Sequence, residues 1–293
     1  TYSNFRCLIY DNCSGMDTRD MLQEYIKGDS RFSITYFDET AGHIIGWEYG
    51  IPEILYLAGD KGGFYCRVDA DDELETDCFK KMLAYMKKND LDMVASGSSF
   101  IDANTMQVLG IRNIQANLIL EGDLFEKKFP EYYQIMRTHW GKLYKIDVIK
   151  RMNLTNFNIA PYGADTLFVR EALIKSKKVG IMPELLYRYY VYPEARDYNM
   201  KKGRTNAPKL LLERDVSFVL SGNTIAFLVN MYLQENNDVF RLVVDSPTDS
   251  RQKIEDIYSV LSSIPCRMGM RLGARGEYTY LCFLYYKDMQ SNI

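Results

Sequence analysis

The sequence is poor in the residues that several common kinds of site require. Its two histidines, His43 and His139, are too few and too far apart in sequence to predict a zinc site. Its six cysteines show no Cys-x-x-Cys spacing, and several of them occupy strand or helix positions where a small apolar residue would serve. This usage favours reduced thiols and an intracellular compartment.

Neither a surplus of positive charge nor a long apolar run is present. The net charge is -3 and the pI is near 5.6, so no global basic field attracts nucleic acid, which is not an expected partner. Residues 216–233 are the most apolar long stretch, but serine, threonine, asparagine and glycine interrupt it, and it is too polar for a membrane-spanning helix. With 293 residues, 47% of them hydrophobic, the chain can bury the core of one large domain and still carry an appendage.

A strand that runs straight into a cluster of acids is the most informative feature. Residues 64–73 read Phe-Tyr-Cys-Arg-Val-Asp-Ala-Asp-Asp-Glu, and their first half has the aromatic and β-branched residues that favour a strand. A helix is predicted over residues 76–89, because Phe79, Met82, Leu83 and Met86 form one apolar stripe. Ligands of open α/β sheets bind beyond the carboxyl ends of the strands, which is where this loop is expected.

The chemistry of the cluster indicates a divalent cation. Four carboxylates within residues 69–73 repel one another unless a cation neutralises them. Oxygen ligands suit Mg²⁺ or Mn²⁺, and Mg²⁺ is commonly held by one or two carboxylates while substrate phosphates complete its shell. The alternative is an acidic turn before a helix, where the helix dipole favours Asp and Glu. The position after a strand of buried type favours the metal site.

Strand and helix patterns alternate through residues 1–193. This order predicts an α/β domain with a largely parallel central sheet and helices on both faces. Ser, Gly and Asn punctuate residues 96–117, which are predicted to form shorter antiparallel pieces. The predicted strands are 5–10, 32–36, 64–68, 92–95, 179–182 and 186–191, and the predicted helices are 18–27 with Asp17 as N-cap, 43–58, 76–89 and 165–175.

The character of the chain changes after residue 193. Residues 194–209 contain five basic residues together with glycine and proline, and are predicted to form a mobile basic loop or a solvated linker. Residues 210–293 are predicted to form a smaller C-terminal α/β unit with helices over 210–234 and 250–261 and strands over 240–244 and 278–286.

Four segments of residues 1–193 together resemble the family-2 glycosyltransferases, which are inverting enzymes with the A-type nucleotide-diphospho-sugar transferase fold. Each motif is weak alone, but four in the family's order form a specific pattern. Asp69-Ala70-Asp71 resembles the Asp-x-Asp motif, residues 8–14 (Leu-Ile-Tyr-Asp-Asn-Cys-Ser) the Asp-Asn-Gly-Ser segment, residues 140–144 (Trp-Gly-Lys-Leu-Tyr) the Trp-x-Lys-Leu-Tyr segment, and residues 162–168 (Tyr-Gly-Ala-Asp-Thr-Leu-Phe) the Gly-Glu-Asp-Thr-Leu-Phe motif.

The resemblance implies a role for each motif. Asp11 is expected to contact the nucleotide base, and Asp69 and Asp71 to hold a Mn²⁺ or Mg²⁺ ion that bridges the donor diphosphate. Asp165 is the expected catalytic base, with a helix N-cap as the alternative. The basic loop is expected to close over the diphosphate through Lys201, Lys202 and Arg204.

Three departures from the family pattern support an alternative, an inactive carbohydrate- or nucleotide-binding module of the same fold. Residues 1–5 resemble the segment before the family's second strand, so its first strand and helix are predicted to be missing. Residues 42–48 lack the family's arginine, and Tyr192 stands where members carry a histidine.

The expected function is the transfer of a hexosyl or N-acetylhexosaminyl group in polysaccharide biosynthesis. The donor is expected to be a nucleotide sugar of the UDP type, and the acceptor a hydroxyl of a glycan or lipid-linked precursor, in the cytoplasm or at the inner face of the cell membrane. A sugar-phosphate nucleotidyltransferase is disfavoured, because no glycine-rich phosphate loop lies near the N-terminus. The C-terminal unit is left with three alternatives: binding the acceptor, a partner chain, or the membrane surface through its apolar helix.

Overall fold

The computed structural model describes residues 1–40, 46–153, 164–192 and 249–262. The strands are β1 (Cys7–Asp11), β2 (Phe32–Tyr36), β3 (Phe64–Tyr65), β4 (Glu73–Leu74), β5 (Met93–Asp102), β6 (Val108–Arg112), β7 (Leu118–Glu121), β8 (Lys142–Lys145) and β9 (Lys178–Val191). The α-helices are α1 (Met16–Ile26), α2 (Ile51–Ala58), α3 (Cys78–Asn89), α4 (Leu124–Lys127), α5 (Phe129–Tyr132), α6 (Ile146–Arg151), α7 (Ala164–Lys175) and α8 (Ser250–Ser262).

The described strands form two sheets. β1 and β2 pair in parallel, and the larger sheet has the order β3-β8-β5-β9-β4, with β6 also on β5 and β7 also on β9. Within the larger sheet β5 and β9 are parallel, whereas the other described pairs are antiparallel. The α/β prediction is confirmed, but the sheet is mixed rather than mostly parallel. The turn from β5 to β6 is one cause, since it is far shorter than the dozen or more residues that a parallel crossover needs.

The core lies on both faces of β5, whose Met93, Val94 and Ala95 are fully buried. One face packs against α6 and α7, with Val148 and Phe168 at 0% exposure. The other face packs against α3, where Met82 and Met86 are buried as the apolar stripe predicted. Helices therefore cover both faces, and the acidic loop after β3 links β3 and β4, which stand at opposite ends of the strand order.

Several element boundaries differ from the prediction. α1 begins at Met16 with Gly15 as N-cap, so the prediction of Asp17 as the cap is wrong; Asp17 lies in the first turn, where the helix dipole favours a carboxylate. The predicted helix 43–58 is described from residue 46, as a π-helical turn (Gly46–Gly50) that leads into α2. β3 is shorter than predicted, because the chain leaves the sheet after Tyr65 to form the acidic loop.

The two strands predicted around Pro183 are one strand, β9, with an irregularity. Ala95 lies opposite Ile181 and Gly97 opposite Leu185, so β9 gains residues over this stretch. Proline has no N–H to donate to the ladder and is therefore found at bulges. Beyond the irregularity, Tyr187 is in register with Ser98 on β5, and this register brings the end of β9 to the acidic loop.

Outside the large sheet, α8 matches the helix predicted over 250–261. The predicted basic loop and the rest of the C-terminal unit lie outside the described residues. The four described cysteines, Cys7, Cys13, Cys66 and Cys78, are free thiols. In the described part of the chain, every helix is too short or too polar to cross a membrane.

Candidate functional site

The acidic loop, residues 66–72 between β3 and β4, is fastened to β9 by Asp72. The carboxylate of Asp72 accepts hydrogen bonds from the Tyr187 hydroxyl (2.7 Å) and the Tyr190 N–H (3.0 Å). The N–H of Asp69 donates to the same Tyr187 oxygen at 3.2 Å, and the N–H of Asp72 donates to the Asp69 carbonyl at 3.1 Å. Burial raises the pKa of Asp72 to about 6, although the bonds from Tyr187 and Tyr190 favour its ionised form. Asp72 therefore shapes the loop, and Asp69 and Asp71 stay the candidate ligands of a metal.

Aromatic packing holds Tyr187 in place. Its side chain is fully buried and its ring stacks on Trp140, with centroids 4.3 Å apart and planes at 11°. Trp140 is only 5% exposed, so it packs in the core rather than offering a face to a sugar. Gly141 turns the chain beside this stack with φ +68°, and a Cβ there would lie 3.7 Å from the Cβ of Tyr187. The Trp-Gly-Lys-Leu-Tyr segment thus supports the loop indirectly, because Trp140 packs on the Tyr187 ring whose hydroxyl bonds the loop.

The substitution Tyr187→Phe is expected to lower the free energy of unfolding by about 1–2 kcal/mol, because Asp72 and the Asp69 N–H lose a buried partner while the ring stack remains. Urea denaturation measures this change. Tyr25→Phe is the matched control, since the Tyr25 side chain is 88% exposed. Equal stabilities of the two variants would mean that the Tyr187 hydroxyl does not hold the loop.

An arginine in the acidic loop connects two of the expected functional carboxylates, Asp69 and Asp165. Arg67 Nε lies 3.1 Å from Asp69 Oδ1, and Arg67 Nη1 lies 3.6 Å from Asp165 Oδ1. Asp165 lies in the first turn of α7, and its other oxygen accepts the N–H of His139 at 3.3 Å. Burial opposes the charge of Arg67, but Asp165 and Asp69 raise its pKa above the ordinary value. The structure therefore brings the predicted metal motif and the predicted base to one guanidinium.

The segment that carries His139 is fixed by a buried lysine. Lys142 is 1% exposed and its ammonium donates to the carbonyl oxygens of Thr138 and Trp140. Burial lowers the pKa of Lys142 to about 7. The ring of His139 packs on Phe168 with centroids 3.9 Å apart, and burial, followed by the charge of Arg67, holds the pKa of His139 well below its usual range. A neutral, packed His139 thus presents its backbone N–H to Asp165.

The candidate metal ligands in the described residues are two carboxylates. Asp71 is exposed and makes no hydrogen bond or ion pair with a described residue, whereas Asp69 is half-buried and paired with Arg67. Across residues 1–40, 46–153, 164–192 and 249–262, no three His, Cys, Asp or Glu side chains are grouped to hold a metal by themselves. Asp69 and Asp71 therefore fit Mn²⁺ or Mg²⁺ in the arrangement where phosphate oxygens complete the shell.

Asp11 lies apart from this cluster, at the end of β1. It is 4% exposed, and it accepts hydrogen bonds from Arg19 Nε at 2.8 Å and from the Ser14 N–H at 3.3 Å. Burial opposes ionisation, but the hydrogen bonds from Ser14 and Arg19 lower the pKa of Asp11 overall. No described contact joins Asp11 to Asp69, Asp71 or Asp165. Its contact with a nucleotide base stays a prediction.

Some site residues lie beyond the described ranges and others were not predicted. Lys201, Lys202 and Arg204 are outside the described residues. Sequence reasoning missed Arg67, although it is the one basic residue in the acidic run and stands two positions before Asp69. It also missed Tyr187, for which no local signal exists because its partner Asp72 is 115 residues away in sequence.

Comparisons with known proteins agree on one kind of protein. The chain is 26% identical to TuaG of Bacillus subtilis (strain 168) over 101 residues, covering 34% of this chain and 38% of that protein, whose assignment as a teichuronic acid biosynthesis glycosyltransferase is provisional. It is 21% identical over 264 residues to an uncharacterized glycosyltransferase of Haemophilus influenzae, covering 83% of this chain and 76% of that one. The chain therefore spans less than two fifths of the Bacillus protein.

Solved structures with a similar backbone course include S. aureus TarS and a mannosyltransferase. S. aureus TarS 1-349 in complex with UDP has a TM-score of 0.49 at 14% identity, over 87% of this chain and 80% of that one. The mannosyltransferase PcManGT from Pyrobaculum calidifontis in complex with GDP-Man and Mn²⁺ has a TM-score of 0.48 at 9% identity, over 98% of this chain and 77% of that one.

A family model described as glycosyl transferase family 2 matches residues 1–158. The match confirms the resemblance inferred from the four motifs, and with the α/β sheet it confirms the predicted A-type fold class. Because it covers more than half of the chain, including the acidic loop and the Trp-Gly-Lys-Leu-Tyr segment, the chain belongs to glycosyl transferase family 2.

Proposed function

We propose that this chain is an inverting glycosyltransferase that moves a sugar from a nucleoside-diphosphate donor to a hydroxyl of a glycan or lipid-linked polymer precursor. The observation that carries the proposal is the Arg67 bridge, which places the Asp-x-Asp loop and Asp165 on either side of one guanidinium at 3.1 and 3.6 Å. Family membership supports the same chemistry. In this proposal residues 1–193 are the catalytic domain and residues 194–209 form a loop over the donor.

The reaction needs a base on one side of the anomeric carbon and a stabilised leaving group on the other. Asp165 accepts the proton of the acceptor hydroxyl as its oxygen bonds to the anomeric carbon, and the bond from that carbon to the diphosphate oxygen breaks with inversion. Asp71 and Asp69 would hold a divalent ion, which would supply positive charge at the departing diphosphate. Lys201, Lys202 and Arg204 would add further positive charge there.

The orientation of the base has a structural basis. Asp165 is held through both oxygens, one by Arg67 Nη1 and the other by the His139 N–H at 3.3 Å. These contacts restrain the carboxylate while its side chain stays 35% exposed, which leaves room for an acceptor to approach. A base held in this way loses little orientational freedom when the acceptor binds.

The classes of the donor and of the acceptor are also part of this proposal. A UDP-sugar carrying a hexose or an N-acetylhexosamine is our first candidate donor. The name of the Bacillus relative, which refers to teichuronic acid biosynthesis, favours a polymer acceptor over a small metabolite. We also propose that the protein acts in the cytoplasm or at the inner membrane face, where such precursors are assembled.

A donor-by-acceptor assay tests the proposal. The protein is incubated with a panel of UDP- and GDP-sugars and polyol-phosphate or glycan acceptors, with Mn²⁺ or with a chelator, and nucleotide release and glycosylated product are both measured. We expect product with at least one donor, in the presence of the divalent ion and not with the chelator. Metal-dependent nucleotide binding without product from any pair would contradict the transferase and favour the binding module, which the exchange of the family's histidine for Tyr192 already motivates.

A further inference from the structure

Arg67 places a positively charged side chain within the candidate site. Its guanidinium lies between a carboxylate expected to hold the metal, Asp69, and the carboxylate expected to act as the base, Asp165. All three side chains are partly shielded from water, with exposures of 28%, 30% and 35%. Charges at this depth interact more strongly than charges on the open surface, because less water screens them.

The surroundings of Arg67 keep its guanidinium in this place. The backbone on one side is fixed by β3, which ends two residues earlier, and on the other by the hydrogen bond from the Asp69 N–H to Tyr187. Nη1 also lies 3.7 Å from the point that a Cβ on Gly46 would occupy, so the turn Gly46–Gly50 closes over the guanidinium. These contacts hold the Arg67 guanidinium beside Asp69 and Asp165.

A divalent ion and Arg67 would share one ligand. Arg67 Nε is already bonded to Asp69 Oδ1, and a metal on Asp69 would bring two further positive charges close to the guanidinium. Like charges at such separations repel, so the arginine lowers the affinity of the loop for a bare cation. A donor diphosphate arrives with negative charge that offsets this repulsion, and the combined metal and donor can then bind.

We propose that Arg67 is a positioning residue with a second effect: it orients Asp165 for proton removal, and it makes binding of the divalent ion depend on the donor diphosphate. This inference rests on the proposed function, because it takes Asp69 and Asp71 as the ligands of the ion. Without the donor, Asp69 and Asp165 stay paired with Arg67, and the metal enters together with the nucleotide.

Calorimetric titration of Mn²⁺ without nucleotide tests the metal part. The variants are Arg67→Met, which removes the charge, and Arg67→Lys, which keeps it. Arg31→Met is the matched control, since Arg31 also pairs with an aspartate two positions away, Asp29, at 2.6 Å. We expect Arg67→Met to bind Mn²⁺ on the order of tenfold more tightly than the wild type, and the other two variants to bind within about twofold of it.

Kinetics test the positioning part. We expect both Arg67 variants to lower kcat by at least about tenfold with little change in the KM for the donor, because the lysine ammonium cannot reach both carboxylates as a guanidinium does. A residue needed only for folding would weaken metal binding and turnover together, so tighter Mn²⁺ binding with slower turnover separates the two roles. Thermal unfolding of each variant checks that it is folded.

The outcomes are distinct from those that test the proposed function. Equal or weaker Mn²⁺ binding by folded Arg67→Met, or its failure to bind Mn²⁺ at all, overturns the inference, as does an unchanged kcat. If Arg67→Met bound Mn²⁺ more tightly but the protein transferred no sugar from any donor, the inferred effect of Arg67 on metal binding would stand. The proposed transferase activity would be wrong.

Discussion

The substitution Asp165→Asn is expected to lower the rate of sugar transfer by about 10²- to 10⁴-fold, the usual contribution of a general base. An asparagine keeps the size of the side chain and an oxygen that can accept the His139 N–H, but it cannot take a proton from the acceptor. Donor binding should stay within about twofold of the wild type, because Asp165 acts on the acceptor side. Single-turnover transfer measures the rate, and titration with UDP and Mn²⁺ measures donor binding.

Asp147→Asn is the matched control for this variant. Asp147 also lies in the first turn of a helix, α6, and is exposed, so its removal costs a similar loss of interaction with the helix dipole but touches no site residue. We expect both variants to be about 0.5 kcal/mol less stable than the wild type, and only Asp165→Asn to be slow. If Asp165→Asn transferred sugar at the wild-type rate, Asp165 would not be the catalytic base, and its role would be limited to the first turn of α7.

Asp71→Asn is expected to remove the metal-dependent part of donor binding. The exposed Asp71 carboxylate has no described partner that a metal would have to displace, so its negative charge is available to the ion. In the presence of Mn²⁺ we expect the affinity for UDP to fall by at least about tenfold, which corresponds to about 1.4 kcal/mol. With a chelator present, the variant and the wild type should bind UDP equally weakly. Calorimetry in both conditions gives the comparison.

Glu73→Gln provides the control from the same acidic run. Glu73 accepts hydrogen bonds from Arg188 at 3.4 Å and from the Tyr190 hydroxyl at 3.0 Å. Its loss removes the same amount of charge from the run as the loss of Asp71. If both variants weakened UDP binding to the same extent, the general negative potential of the loop would explain the effect and a specific ligand role for Asp71 would be wrong.

The sequence was sufficient for those parts of the fold that depend on local patterns. The stripe of Met82, Leu83 and Met86 predicted α3, since periodic burial can be recognised within one helix. The four motifs predicted the family because they need only their order along the chain. The antiparallel pairing of β5 with β6 agrees with the antiparallel pieces predicted over residues 96–117. The antiparallel pairing of β5 with β8 was not predicted, because strand direction is decided by pairing across the fold, and β8 meets β5 from a distant part of the sequence.

Within the candidate site, the limit of sequence reasoning was the same. Asp69, Asp71 and Asp165 were predicted as site residues, and the structure joins Asp69 to Asp165 through Arg67. The different character of Asp72 could not be predicted, because four neighbouring acids look alike until Tyr187 and Tyr190 bind one of them. A charge pattern indicates a site. Which of its carboxylates is hydrogen-bonded within the protein depends on residues more than a hundred positions away.

The irregularity of β9 around Pro183 also determines where this chain can change in length. An added or deleted residue between Met182 and Leu185 falls where the ladder with β5 is already out of step, so the flanking strand can keep its pairing. The same change between Tyr187 and Tyr190 falls where the pairing with β5 is regular, and it would move the Tyr190 N–H away from Asp72. Relatives that differ in length here are therefore expected to accommodate the difference before Tyr187, and to carry an unbroken spacing from there to Tyr190.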